Sequence, residues 1–292
     1  MAVALCDEVR ERCAEIAATA RSVQITSAGL TGLEQAPDPQ LDPVLHYLDG
    51  PPDDVARYFL TLDSINFGSG WFPTLRKQPG RSGYATIAGQ LTERFRRDRP
   101  WSNAELRAIT ATTVADTLGQ PRDHELMALY AQALRSLGAW LGTGSATRVI
   151  ERGGGSAELL ATQLASGMPL YRDPPFYKRA QLLTADLALA GVAVFDDLDR
   201  LTIFADNVIP HVLRCDGILE YDEQLAALID SERLLAPGRE EREIRACAVH
   251  ACEQLAVQHA LAPRILDNWL WNRGRGDEYK SRPRHRCRCV FY

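Results

Sequence analysis

The chain has 292 residues, 46% of them hydrophobic and 24% charged, with 21 glycines, 16 prolines and a formal net charge of -5. Such a composition excludes disordered and fibrous classes, and its acidic balance argues against a stable nucleic-acid partner, because counterion release needs clustered Lys and Arg facing the phosphates. No apolar run nears the roughly 20 residues that span a bilayer, and the N-terminus mixes acids and bases where a signal peptide is apolar, so no membrane partner is expected. Seven cysteines without CxxC spacing point to reduced thiols and a cytoplasmic setting. The length suits one helical domain over residues 1–292, divisible into two packed helical lobes.

Hydrophobic periodicity is helical nearly throughout, which predicts a mostly α fold. Cys6, Val9, Cys13, Ile16 and Ala17 recur at three- and four-residue steps and predict an amphipathic N-terminal helix. A second helix is expected from Pro52 through Phe67, with Val55, Phe59, Leu62 and Asn66 on one stripe and Asp63 close to its buried side. Over Glu125 to Leu141, a stripe from Leu126 and Leu129 to Trp140 and Leu141 marks a core helix stopped by Gly142. The run Gly153 to Gly155 lacks the Lys-Ser/Thr of a P-loop and any preceding strand, so it reads as a turn, with Ser156 capping a helix through Ser166. Pro174-Pro175 breaks the chain before a helix from Phe176 to Ala190, which Gly191 closes. A helix around Asp197 to Ala205, a break at Pro210 and a turn at Asp216-Gly217 follow, then helices over Leu225 to Leu234 and Glu241 to Leu261. Beyond Trp271 the texture changes: Lys280, Arg282, Arg284, Arg286 and Arg288 alternate with other residues, which suits an extended C-terminal tail packed along the body.

Two clusters can carry chemistry. Asp206 follows the apolar run Leu201, Ile203, Phe204, Ala205 and precedes Val208, Ile209 and Pro210, so it is the acid most exposed to desolvation. Its plainer role is to cap the next helix by accepting amides near Val208 or Ile209. Asp196, Asp197 and Asp199 read as cap and first-turn acids. Lys178 and Arg179 open a helix against its dipole, which is favourable if they face an anion such as a phosphate and is otherwise explained by solvation.

The segments LDSINFGSGW (Leu62 to Trp71), FYKRAQLL (Phe176 to Leu183), LTIFADNVIPHVL (Leu201 to Leu213), EIRACAVHACEQL (Glu243 to Leu255), LDNWLW (Leu266 to Trp271) and HRCRCVFY (His285 to Tyr292) closely resemble, in this order, the queuosine salvage proteins. The resemblance spans roughly Asp42 to Tyr292. It implies an N-glycosidase that releases the 7-deazaguanine base queuine from queuosine 5'-phosphate for tRNA modification. It also implies a helical fold similar to that of helix-hairpin-helix DNA glycosylases, without metal or other cofactor. By position, Asp206 matches the family's catalytic aspartate, and His46, Phe67, Lys178, Phe204, Asp267 and Trp271 fall on family motifs and are expected to bind substrate. Lys178, and more weakly Arg179, would meet the 5'-phosphate, while Asp63 or Asp267 would hold polar groups of the base.

The sequence departs from the commoner family pattern at Gly68-Ser69-Gly70, where a bulkier aromatic segment is expected, and at Cys287 and Cys289, where threonines are usual. That threonine pattern undercuts a metal-site reading of His285, Cys287 and Cys289. Two other functions are weighed against hydrolysis: a non-catalytic helical module that binds queuine or its nucleotide, and a DNA base-excision glycosylase. The net charge and the lack of an LPGVG-like hairpin oppose the latter.

Overall fold

The helical periodicity is realised as a mostly α fold, described by a computed structural model for residues 4–33 and 37–292. Helix α1 (Leu5–Thr19) buries Cys6, Val9 and Cys13 and packs against α12 (Arg239–His259). Helix α2 (Pro52–Ser64) is buried from Val55 to Ser64, enclosed by α3 (Gly83–Arg97), α6 (Glu125–Leu141), α7 (Ala146–Ile150) and α9 (Lys178–Leu189). Helix α4 (Asn103–Ala108) crosses α6 so closely that a Cβ on Gly138 would stand 2.7 Å from the Arg107 amide nitrogen. Helix α5 (Ala111–Leu118) packs on α3 and α6, and α8 (Ala157–Gly167) on α9 and α1. The second half is completed by α10 (Ile209–Cys215), α11 (Glu223–Asp230), α13 (Pro263–Arg273) and α14 (Asp277–Lys280). Strands β1 (Val23–Ile25) and β2 (Leu219–Tyr221) pair antiparallel, with Gln24 opposite Glu220, and tie the N-terminal region to the turn after α10. Among the described residues, no helix is long and apolar enough to cross a membrane.

Several boundaries agree with the sequence. Helix α6 runs from Glu125 to Leu141 and Ser156 caps α8 through the Leu159 amide. Others do not. Helix α2 stops at Ser64 rather than Phe67, because the chain turns at Gly68, where φ is +103°. Asn66 and Phe67 are thereby released from the helix. Helix α9 begins at Lys178, since the Phe176 and Tyr177 amides both bond back to the Asp173 carbonyl. Pro210 does not break the chain but opens α10, where its missing N–H costs nothing. Helices α3, α4, α5, α7, α13 and α14, and the two short strands, add to the elements expected, and α14 forms inside the stretch beyond Trp271 that was expected to be extended.

The expected helix from Asp197 to Ala205 does not form. Only a 3-10 turn, Leu198–Arg200, is present, and residues 201–205 run as buried non-helical chain. Side chains satisfy that backbone instead. The Thr202 amide donates to Gln181 Oε1 at 2.9 Å, the Phe204 amide to Asp267 Oδ1 at 2.8 Å, and the Ala205 carbonyl accepts from Arg245 Nε at 2.9 Å. Apolar density there reflects burial on every side, which periodicity alone cannot separate from a helix.

Two interior guanidinium groups hold these pieces in register. Arg245, on α12, donates to both carboxylate oxygens of Asp173 (3.1 and 2.6 Å) and to Glu241 (3.2 Å), and it stacks on Phe176 at 3.9 Å. Arg179 donates to the carbonyls of Ser64 (2.7 Å), Asp63 (3.3 Å), Val290 (2.9 Å) and Leu170, between the rings of Phe67 and Tyr171. Asp63 and Ser64 lie in the last turn of α2, whose carbonyls have no helical partner, so Arg179 caps α2 from another helix. Arg179 is therefore neither the solvated surface charge nor the phosphate ligand that the sequence suggested.

Removing one member of a buried ion network leaves the others charged and unpaired, which costs roughly 3–5 kcal/mol. Arg245→Ala is expected to lower unfolding stability by about that amount in urea titration. A midpoint unchanged from wild type would refute this account of the core.

Candidate active site

A cavity of about 810 Å³ opens between the loop before α2, the Asn66 to Phe72 turn, α9, the 204–209 segment, α13 and the C-terminal chain. That volume suits a nucleotide-sized ligand. His46, Phe67, Lys178, Phe204, Asp206, Asp267 and Trp271, the residues singled out in sequence, all line it.

Asp206 accepts hydrogen bonds at Oδ1 from the Val208 amide (2.6 Å) and the Ile209 amide (3.1 Å). The capping role read from the sequence and a place in the cavity wall thus coexist: the amides fix the carboxylate and leave Oδ2 free. Asp267, on α13, accepts the Phe204 amide at Oδ1 and so ties α13 to the residue two before Asp206. Burial, reinforced by the charge of Asp206, pushes the Asp267 carboxyl up to about 7 despite that hydrogen bond and the nearby Lys178.

Lys178, the first residue of α9, is only 5% exposed, so its charge is not a solvated surface feature. Burial lowers its ammonium pKa, while Asp206 and Asp63 act to keep it charged. Asp63 itself is fully buried, with Oδ1 accepting from Asn66 Nδ2 at 3.2 Å, and burial pushes it up to about 6. Burial and the charge of Asp63 push the Asp186 carboxyl well above the usual carboxylate range, and Asp63 Oδ2 is buried without a hydrogen-bond partner.

The aromatic walls are set by the same packing. Phe67 meets Tyr130 edge-on at 5.1 Å, and its carbonyl accepts from the Tyr130 hydroxyl at 2.8 Å. His46 Nε2 lies 3.1 Å from the Tyr84 hydroxyl, and Tyr84 meets Trp271 edge-on at 6.1 Å. Burial lowers the His46 pKa and favours its neutral form.

Asp186, Tyr84, Ser69 and Arg284 also line the cavity but were not selected in sequence. Asp186 had a signal, since it lies about two helical turns on from Lys178 and returns to nearly the same face. Tyr84 had none. The other acids near Asp206 serve structure. Asp197 accepts from the Ser156 hydroxyl (2.6 Å) and the Ala157 amide (2.6 Å) and so caps α8 rather than a helix of its own, and Asp199 pairs with Arg264 at 2.7 Å. No cluster of three or more potential metal ligands occurs among the described residues. All seven thiols are unpaired, five of them buried.

Residues 45–292 match the family described as queuosine salvage protein. A queuosine 5'-phosphate N-glycosylase/hydrolase of Sphaerobacter thermophilus is 33% identical over 283 residues, covering 88% of this chain and 87% of that protein. The protein of the same name from Dictyostelium discoideum is 29% identical over 82% of this chain and 78% of its own length, and that of Mus musculus 34% identical over 51% and 52%. The chain belongs to the queuosine salvage protein family.

The Gly68-Ser69-Gly70 turn and the C-terminal HRCRCVFY segment touch each other. The Gly68 amide donates to the Tyr292 carbonyl at 2.8 Å, and a Cβ on Gly70 would stand 2.5 Å from the Cys287 carbonyl oxygen. The glycines thus let the HRCRCVFY segment lie directly on the turn that carries Phe67 and Ser69.

The raised pKa of Asp267 has a thermodynamic sign. The folded chain keeps a proton that the unfolded chain releases near 3.8, so this group's contribution is full below that pH and is lost as pH rises to about 7. Asp267→Asn is therefore expected to gain stability relative to wild type between about pH 4 and pH 7, read from melting curves of both proteins. A difference that stays flat across that range would contradict the assignment.

Proposed function

We propose that this protein is a cytoplasmic hydrolase that cleaves the N-glycosidic bond of queuosine 5'-phosphate, releasing queuine for tRNA modification and leaving ribose 5-phosphate. The observation that carries the reading is a carboxylate, Asp206, pinned by two backbone amides in the wall of a nucleotide-sized cavity, in a chain whose family relatives bear the name of that activity. The fold belongs, in this reading, with the helix-hairpin-helix DNA glycosylases, though the ligand is a mononucleotide.

The bond between C1' and the base nitrogen breaks with its electron pair going to the base, and the ribose acquires oxocarbenium character. Asp206 supplies the fixed negative charge at C1' that lowers this barrier, by contact or by transient bonding. Water then delivers its oxygen to C1' and passes its spare proton to the carboxylate of the acid that protonated the base. The departing base needs a proton, and carbon in place of N7 bars the usual site. Asp267 is the proposed source: its Oδ1 is taken by the Phe204 amide, and with a pKa of about 7 its other oxygen carries a proton in much of the population near neutrality. Lys178, facing Asp206, is assigned to the ribose side, and Phe67, Phe204 and Trp271 to the flat base, with His46 at the rim. The chemistry asks for no metal or organic cofactor.

Queuine release from queuosine 5'-phosphate, followed by chromatography, tests the reading. Wild type is expected to release base at an equal rate with or without excess chelator. Asp206→Asn is expected to lose roughly a hundred- to a thousandfold in kcat while keeping its fold. Equal rates for the two proteins would remove Asp206 from the chemistry, and no release by wild type would favour a binding module instead.

A further inference from the structure

Cys287 and Cys289 stand apart from the other thiols of the chain. Cys6, Cys13, Cys247 and Cys252 are fully buried on α1 and α12, and Cys215 sits at the end of α10, 3.6 Å from His211 Nε2. Residues 287–289 alternate instead. Cys287 is buried, Arg288 turns outward beside Glu125, and Cys289 is half-buried, so the two thiols share the inner side of the C-terminal chain. The charges of Arg245 and Glu241 act on both.

The backbone draws them together. The Cys289 amide donates to the Cys287 carbonyl at 3.0 Å, which closes a three-residue turn about Arg288. Two steps of extended chain span at most about 7 Å, and a hydrogen-bonded turn spans less, so the Cα separation falls within the roughly 4.4–6.8 Å that a disulfide accepts. This turn lies against the site. The Cys287 carbonyl meets Gly70, the Val290 carbonyl accepts from Arg179 at 2.9 Å, and the Tyr292 carbonyl accepts from the Gly68 amide at 2.8 Å. The same contacts hold the chain that carries Phe67 and Ser69, both of which line the cavity.

We infer that Cys287 and Cys289 form a thiol–disulfide switch on the segment that closes the site; its effect on rate rests on the proposed hydrolysis. Cys289 is the attacking sulfur. It is the more exposed of the two and, alone among the seven thiols, is pushed down, chiefly by the thiol of Cys287. The oxidant is a small-molecule disulfide. The Cys289 thiolate attacks one of its sulfurs and expels a thiolate; Cys287 then gives up its proton and attacks the Cys289 sulfur, expelling the second thiolate. The protein pair loses two electrons, the oxidant gains them, and the two small thiols carry away the two protons. Closing the bridge pulls residue 289 toward 287 and draws the adjoining Val290 carbonyl away from Arg179. A half-exposed bridge stays open to attack by small thiols, which makes the step reversible.

Thiol mapping and rate together test this. After incubation of the full-length protein with oxidised glutathione, then alkylation and digestion, the C-terminal peptide is expected to have lost the mass of two hydrogens, with the other thiols still free. Queuine release from queuosine 5'-phosphate is expected to fall about tenfold, the effect of losing one charged hydrogen bond, and to recover with dithiothreitol. Cys287→Ser is expected to stop at glutathione bound to Cys289, and the double variant Cys287→Ser, Cys289→Ser to keep its full rate under the same treatment. Both thiols still free in treated wild type, or a closed bridge with an unchanged rate, would overturn the inference. A bridge that forms in a protein releasing no queuine even when reduced would instead sink the proposed reaction and leave the redox pair standing.

Discussion

The buried guanidinium of Arg245 is the constraint on which the site depends. It gathers Asp173, Glu241 and the Ala205 carbonyl around one point, with the rings of Phe176 and Tyr292 on its faces. A cation this deep is tolerable only when its donors are satisfied, so each partner is held where the arginine can reach it. Asp173 sits just before α9, whose first residue is Lys178, and Ala205 directly precedes Asp206. One side chain therefore spaces the cation from the carboxylate. Arg179 acts in the same way one layer away, joining the end of α2 to the C-terminal chain at Val290.

Around Lys178 itself the neighbouring charges are acidic, from Asp63, Asp186, Asp206 and Asp267. Such a group cannot ionise fully without water, and the structure resolves this by raising Asp267, Asp63 and Asp186 through burial. Asp206 stands apart because two amide donors stabilise its carboxylate. Different environments thus set acids of one kind apart: two amides hold the Asp206 carboxylate in place, while burial raises the other three.

The C-terminal segment closes the site. It lies on Gly68 and Gly70 through backbone contact, bridges to Leu235, and presents Arg284 to the cavity. Any side chain at position 70 would have to displace the Cys287 carbonyl. Gly70 and Cys287 are thereby linked, since the missing side chain at position 70 sets how closely the two segments approach.

The sequence by itself determined the mostly α class, the limits of α6 and α8 and seven of the residues that line the cavity, because helical stripes, caps and contiguous motifs are local signals. It did not determine the path from Leu198 to Ala205, where Gln181, Asp267 and Arg245 replace helical hydrogen bonds from distant parts of the chain. Nor did it reveal that Arg179 is a helix cap, that Asp63 and Asp186 are buried together, or that Arg284 lines the cavity. Those properties depend on which groups tertiary packing removes from water and which it sets face to face, and spacing along the chain carries no record of either.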